Sequence, residues 1–330
     1  MGAVFQFWGE KLSFLRKVEK IAEDIKTMRV RGAARIARTA VEGLIITAEE
    51  SEAKNEEEYL KDLKISSKIL VSARPTAVSL PNGIRYVMKR VLKAYRDGAK
   101  LEELREETIR VGREFIQNSF KAIEKIGEIG ARRIRDGDVI LTHCNSSAAL
   151  SVIITAHRQG KKIMVYATET RPRFQGHITV ERLVREGIDV RLIVDSAVNY
   201  YMDGVDKVIV GADAVASNGA VVNKIGTSLI AASAYLSGVN FFVAAETYKF
   251  SPETTAGRLI EIEQRDPTEV VDREFLKKNK GVKVLNPAFD VTPPQHIDLI
   301  ITERGIIPPQ AAIIILTEVF GWFVEEEDMY

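Results

Sequence analysis

One cysteine in 330 residues excludes an internal disulfide and fits a reducing compartment. Charge of one sign is lacking too: 47 Lys and Arg against 46 Asp and Glu leave a formal net charge of +1. A globally basic nucleic-acid binder is therefore excluded, and no nucleic acid is expected as a partner. No apolar run is long enough to span a bilayer, so no membrane partner is expected. Met1 to Glu10, with Trp8 and Glu10, has no basic stretch followed by an apolar core, so it does not read as a signal peptide. A cytoplasmic, soluble chain is the expectation. There is no G-x-G-x-x-G and no P-loop, which removes the usual nucleotide fingerprints. The four histidines, His143, His157, His177 and His296, show no ligand spacing, and no metal or cofactor is expected. No internal repeat or low-complexity segment is present.

What is there is a chain with 45% hydrophobic residues, enough for one large or two modest domains. Its first part is patterned for helices. Apolar residues recur every three or four positions over Leu12–Met28 and Ala33–Glu50, and again over Lys64–Val71. Glu49–Lys64 is charge-dense, a solvated helix face or a loop. The two prolines and the Asn-Gly of Ser72–Gly83 predict a loop. Ile84–Asp97 and Leu101–Ile134 predict two more helices, and Asp136-Gly137-Asp138 reads as a boundary. Residues 1–136 are thus expected to form a helical N-terminal domain.

Beyond that boundary, strand and helix alternate. Strands are predicted at Val139–Thr142, Lys162–Ala167, Asp189–Val194, Lys207–Val210, Asn240–Ala244 and Leu299–Thr302. Helices are predicted at Ala148–Arg158, Ile178–Glu186, Ala197–Met202 and Ile225–Leu236. The alternation predicts an α/β domain over 137–330, Rossmann-like, with a mainly parallel, doubly wound sheet. Near its end, Ile307–Phe320 is more apolar than a solvated tail.

Two strand ends carry chemistry. Cys144 follows the apolar run Val139–Leu141, and Asn145, Ser146 and Ser147 after it offer helix-capping side chains. A lone cysteine is commonly a small buried hydrophobe. At a helix start, however, the positive end of the backbone dipole would lower the thiol's pKa and favour the thiolate. Asp213 ends the second apolar run, Val208–Val210, in a turn of small residues. Ligands in open α/β sheets collect outside the carboxyl ends of strands. A thiol and a carboxylate meeting there form a pair suited to moving a proton between neighbouring carbons.

Basic residues punctuate several element ends. Arg31-Gly32-Ala33-Ala34 opens a helix, where small residues let a phosphate reach backbone N–H groups. Arg74 precedes Pro75. Asn223-Lys224-Ile-Gly226-Thr-Ser228 precedes another helix, again a candidate anion site. Lys249 follows the strand Phe241–Ala244. Each alone is ordinary. Four together, in a chain with an acid/base pair, point to a substrate carrying phosphate, and two clusters would suit two phosphates.

These segments are where the chain resembles a known superfamily. They are Arg31-Gly-Ala-Ala, Thr142-His-Cys-Asn, Arg171-Pro-Arg-Phe-Gln-Gly176, Gly211-Ala-Asp213, Asn223-Lys-Ile-Gly and Glu246-Thr-Tyr-Lys-Phe. The superfamily unites initiation factor 2B regulatory subunits, methylthioribose-1-phosphate isomerases and archaeal ribose-1,5-bisphosphate isomerases. The resemblance covers nearly the whole chain and implies a helical N-terminal domain before a Rossmann-like one. It also implies Cys144 and Asp213 as the catalytic pair, since the isomerase branches carry both and the alpha-like initiation-factor subunits generally lack them. The methylthioribose branch typically reads Arg-Gly-Ala-Pro where this chain has Ala34, and lacks the segment that holds Lys249. The resemblance is therefore strongest to the ribose-1,5-bisphosphate branch.

What this branch implies is conversion of ribose 1,5-bisphosphate to ribulose 1,5-bisphosphate in salvage of nucleoside monophosphates, feeding an archaeal Rubisco. Cys144 as thiolate would take the proton from C2, and Asp213, held protonated, would serve the oxygens and C1. N–H groups near Asn145, Ser146 and Ser147 would meet the developing charge. Arg31, Gly32, Ala33, Ala34, Arg74, Asn223, Lys224 and Lys249 would hold phosphate, and Gln175 a sugar hydroxyl. His143 is expected to turn its ring to the opposite face of its strand from the thiol. The resemblance further implies a homo-oligomer built from dimers, with a hexamer among related isomerases, and makes AMP a candidate activator. A regulatory subunit and a methylthioribose-1-phosphate isomerase are the alternatives.

Overall fold

A computed structural model describes residues 13–320. The reading of Met1–Glu10 lies outside the described residues. The chain divides into two compact units, one up to Phe120 and one from Lys121.

The first unit is helical. Helices α1 (Ser13–Lys26), α2 (Ala33–Glu50), α3 (Glu56–Ser72), α4 (Ser79–Arg96) and α5 (Leu101–Ala131) follow in order, and the divide between the units falls within α5. Helix α2 is central to this unit, packing against α1, α3 and α4. Its buried stripe runs Ile36, Ala37, Ala40, Val41, Leu44, Ile45 and Ala48, the three- and four-residue spacing read from the sequence. Gly43 lets α3 approach, because a Cβ there would stand 2.9 Å from the Leu70 side chain.

The loop expected over Ser72–Gly83 is shorter than predicted, because α4 begins at Ser79. Pro81 falls in its first turn, where a backbone N–H has no intrahelical acceptor to lose. Gly83 breaks nothing either. It sits buried against Phe115 and Val41, so its missing side chain serves close packing. Helix α3 begins at Glu56, with Asn55 accepting the Glu58 N–H as its cap, so the charge-dense stretch is largely helix.

The second unit holds the strands. These are β1 (Val139–Thr142), β2 (Met164–Thr168), β3 (Asp189–Ile193), β4 (Lys207–Gly211), β5 (Ala214–Val215), β6 (Val221–Lys224), β7 (Asn240–Ala244), β8 (Phe289–Thr292), β9 (Leu299–Thr302) and β10 (Gly305–Ile307). Its helices are α6 (Ser147–Arg158), α7 (Gln175–Arg185), α8 (Val198–Tyr201), α9 (Thr227–Leu236), α10 (Arg273–Lys278) and α11 (Ala312–Phe320). Seven strands form one sheet in the order β10-β9-β7-β4-β1-β2-β3. Six run parallel, and β10 pairs antiparallel with β9. The fold is therefore α/β with a mainly parallel sheet.

Alternate residues of each strand feed opposite faces. Ile140, Val165, Ile209, Phe242 and Ile301 pack with residues of α6, α7 and the end of α5. Leu141, Val208, Val210, Phe241, Val243 and Ile300 pack with α8, α9 and α11. The apolar segment near the chain's end is thus core on one side of α11, through Ala312, Ile315 and Leu316. A second, antiparallel sheet of β5, β6 and β8 was not predicted.

Candidate active site

The sheet's order reverses between β1 and β4. From β1 the chain winds outward through β2 and β3, then returns past β1 to β4 and continues through β7 and β9. Such a reversal splays the loops at the carboxyl ends of the two strands and opens a crevice between them. Cys144 stands two residues past β1, and Asp213 two residues past β4. The two are close enough for the Asp213 charge to act on the thiol. Gly211 permits the approach of these loops, since a Cβ there would fall 2.2 Å from the Ser146 hydroxyl oxygen. The Asp213 N–H donates to the Val222 carbonyl, which fixes its turn to β6.

Cys144 has φ +65°, the left-handed region that a residue with a Cβ rarely adopts. Its backbone is held from both sides by threonines of the segment after β2. The Cys144 N–H donates to Thr170 Oγ1 at 2.9 Å, and Thr179 Oγ1 donates to the Cys144 carbonyl at 2.7 Å. Thr170 is itself left-handed, φ +62°. Its N–H and that of Arg171 donate to the Asp195 carboxylate at 2.8 and 2.7 Å. Gly176 brings α7 down on this segment: a Cβ there would overlap the Thr168 carbonyl oxygen, at 1.7 Å.

The thiolate expectation is corrected here. Burial pushes the Cys144 thiol up to about 11, with the Asp213 charge adding to the rise. Lys224, the Asn145 backbone N–H and Arg265 pull the other way without prevailing. The physical reason is position. Ser146 is the N-cap of α6, its Oγ accepting the Ala149 N–H, so Cys144 lies outside the first turn where the helix dipole is strongest.

His143 is fully buried in the second unit. Its Nε2 lies 2.9 Å from the Ile225 carbonyl, which can only accept, so Nε2 carries the proton and Nδ1 accepts from Thr168 Oγ1 at 2.6 Å. Burial lowers its pKa to about 4. The ring is a neutral strut between β1, β2 and the turn before α9.

A second correction concerns that turn. The start of α9 was expected to bind an anion, but the chain's own Asp290 fills it. Asp290 accepts the Gly226 N–H at 2.7 Å and the Ser228 N–H at 3.1 Å. Lys224 is buried nearby, donating to the Ala288 carbonyl at 2.9 Å and lying over the Phe289 ring. Its charge reaches Cys144, His143 and Asp290. Asn223 donates to Thr227 Oγ1 at 3.0 Å.

Lys249 is buried in an ion pair with Glu246 at 2.7 Å. Thr247 between them is tied through its N–H and hydroxyl to Glu303. Gln175 opens α7, and its Oε1 is buried with no hydrogen-bond partner in the described structure. The Asn145 side chain accepts from Thr179 Oγ1 at 3.3 Å. Arg31, Gly32, Ala33, Ala34 and Arg74 belong to the helical unit. Gly32, φ +83°, is the N-cap of α2 with no side-chain cap, and among the described residues beyond its chain neighbours none comes within 4 Å of where its Cβ would be. Arg31 Nε donates to the Met28 carbonyl at 2.7 Å. Among the described residues no three His, Cys, Asp or Glu side chains cluster as metal ligands.

Sequence reasoning missed Thr170, Thr179, Asp195, Asp290 and Arg265. Arg265, paired with Glu263, lies in a segment without strong periodicity, and only its proximity to Cys144 marks it.

A thiol and a carboxylate at the switch point of a sheet whose parallel strands run β9-β7-β4-β1-β2-β3, in a chain whose earlier unit is helical, place the protein in the Rossmann-like α/β class. The chain belongs to the Initiation factor 2 subunit family, whose model matches residues 29–309. It is 59% identical over 309 residues to a Pyrococcus furiosus protein named ribose 1,5-bisphosphate isomerase, covering 93% of this chain and 95% of that one. A Thermococcus kodakarensis protein of the same name is 57% identical over 312 residues, with 94% and 97% covered. The solved translation initiation factor eIF-2B delta subunit from A. fulgidus superposes with a TM-score of 0.71 at 38% identity, over 92% of this chain and 91% of that one.

Proposed function

We propose that the chain is an aldose–ketose isomerase that converts ribose 1,5-bisphosphate to ribulose 1,5-bisphosphate in nucleoside monophosphate salvage. The observation that carries this reading is the placement of Cys144 and Asp213 at the carboxyl ends of adjacent strands, across the switch point. The names of the chain's relatives supply the substrate.

The open-chain aldose presents its C1 carbonyl and the C2 hydrogen to the pair. In the ligand-free site the thiol keeps its proton, so the first step passes that proton from Cys144 to Asp213, with Lys224 and Arg265 favouring the thiolate. The thiolate then takes the C2 proton. The C2–H electron pair becomes the C1–C2 double bond, and O1 takes the proton from Asp213, giving an enediol. In the second half O2 returns a proton to Asp213 as the C2 carbonyl forms, and Cys144 delivers its proton to C1. The net change is one hydrogen from C2 to C1 and one from O2 to O1.

For phosphate the proposal assigns Arg31, Gly32, Ala33, Ala34, Arg74, Asn223, Lys224 and Lys249, with Asn223 and Lys224 acting through their side chains because Asp290 occupies the Gly226 and Ser228 N–H groups. Asn145, Ser146, Ser147 and Gln175 serve the sugar oxygens. The unpartnered Gln175 Oε1 supports its part. Lys249 already has Glu246 as a counter-charge, so the two would act on the substrate as a pair. The proposal includes a homo-oligomer built from dimers and AMP as activator.

A phosphorus NMR time course with the α anomer of ribose 1,5-bisphosphate, alongside methylthioribose 1-phosphate, tests the reading. Conversion of the first is expected, with turnover largely lost in Cys144→Ser and substrate binding retained in Asp213→Asn. Conversion of only the second would move the chain to the methylthioribose branch. The A. fulgidus subunit favours a second reading, a regulatory subunit of the initiation factor 2B type. No conversion of either sugar, with or without AMP, would put that reading first.

A further inference from the structure

We infer that Thr170 is a positioning residue for the isomerisation, aiming the Cys144 thiol through the backbone of Cys144, with Thr179 as its counterpart on the other side. The inference rests on the reading of Cys144 as the group that acts at C2. A left-handed residue bearing a Cβ persists only where its surroundings over-determine it. At Cys144 the surroundings are specific. The N–H is held by Thr170 Oγ1 and the carbonyl by Thr179 Oγ1. Both threonines are buried, at 0% and 1% exposure, so water cannot replace their hydroxyls.

Thr170 is braced in turn. Its N–H is bound to Asp195, and its Oγ1 lies 3.3 Å from Thr168 Oγ1 and from the Thr168 carbonyl. The Cys144 N–H thus meets an acceptor that is fixed in place. Rotation about φ and ψ of Cys144 swings its Cβ, and with it the thiol, relative to a substrate carbon. A shift on the order of 1 Å at a reacting atom costs roughly a hundredfold in rate. Neither threonine touches the reacting atoms in this scheme, so the loss belongs to the chemical step and not to binding.

The test compares Thr170→Val, Thr170→Ser, Thr179→Val and Cys144→Ser with the parent enzyme on α-ribose 1,5-bisphosphate. Thr170→Val keeps the shape and removes the acceptor. Its kcat is expected to fall at least about tenfold with KM within roughly twofold. Thr170→Ser, which restores the hydroxyl, is expected within about threefold of parental kcat. A parental kcat in Thr170→Val, or a loss confined to KM, overturns the inference. So does a Thr170→Ser variant as slow as Thr170→Val. Should Thr170→Val fail to fold by near-ultraviolet circular dichroism, Thr179→Val decides: a fall in kcat at constant KM supports the inference, and parental kcat overturns it. Cys144→Ser separates the two levels. If it turns over like the parent, the reading of the cysteine fails and the inference falls with it. If it is inactive while the threonine variants are not, only the inference fails.

Discussion

Two influences compete at the Cys144 sulfur. Lys224 and Arg265 favour the thiolate, while burial and the Asp213 charge favour the thiol. Burial prevails, from an ordinary value of 9.0 up to about 11. Alkylation of the ligand-free enzyme by iodoacetamide should therefore climb about tenfold per pH unit through pH 9 and 10, because only the thiolate reacts. A plateau at or below pH 9 would show that the thiol is not held protonated. The sign carries over to stability. A thiol raised on folding contributes fully below pH 9, and its contribution is lost as pH rises toward 11. The positions of Cys144 and Asp213 were legible because each follows a short apolar run at a strand end. The thiol's protonation was not, since it depends on the depth of burial and on Asp213, 69 residues away in sequence. Thr170 and Thr179 were illegible for a related reason: their hydroxyls matter only because β2 lies beside β1.

The six parallel strands could be read from sequence because strand-like segments alternate with helical ones between turn residues, five of them as short apolar runs and β3 as the more polar Asp189–Ile193. The small sheet could not. Strand β5 has two residues, β6 buries Asn223 and Lys224 beside two valines, and β8 pairs with β6 from more than 60 residues away. That sheet delivers Asp290 to the start of α9, which explains why a helix start that looked open to an anion is already satisfied. Asp290→Ala removes both acceptors and should cost roughly 1–2 kcal/mol in urea unfolding, the usual loss on deleting a cap. Burial raises the Asp290 carboxyl from 3.8 to about 6. Its contribution to stability is then greatest below pH 3.8 and falls as pH rises through 6. Asp290→Asn should be flatter than the parent over that window in the same measurement. An identical pH dependence in both would refute the assignment.

For the molecule as a whole, the mainly parallel sheet and the helical segments before it follow from pattern, while the strand order, and with it the crevice at the β1–β4 reversal, is a long-range property. The described helices include none long and apolar enough to cross a membrane. Leu229 and Leu236, seven residues apart on α9, are 66% and 82% exposed, which supports the proposed self-association. Light scattering should return a mass at a multiple of 36.8 kDa, and a mass of 36.8 kDa would refute an oligomer. The left-handed backbone at Cys144 bears on how such a chain can drift. Glycine occupies that conformation without strain, so a lineage released from isomerase chemistry would gain stability by exchanging this cysteine for glycine. Retaining the thiol works against the turn that carries it, and a descendant kept only for its surface would have no reason to bear that burden.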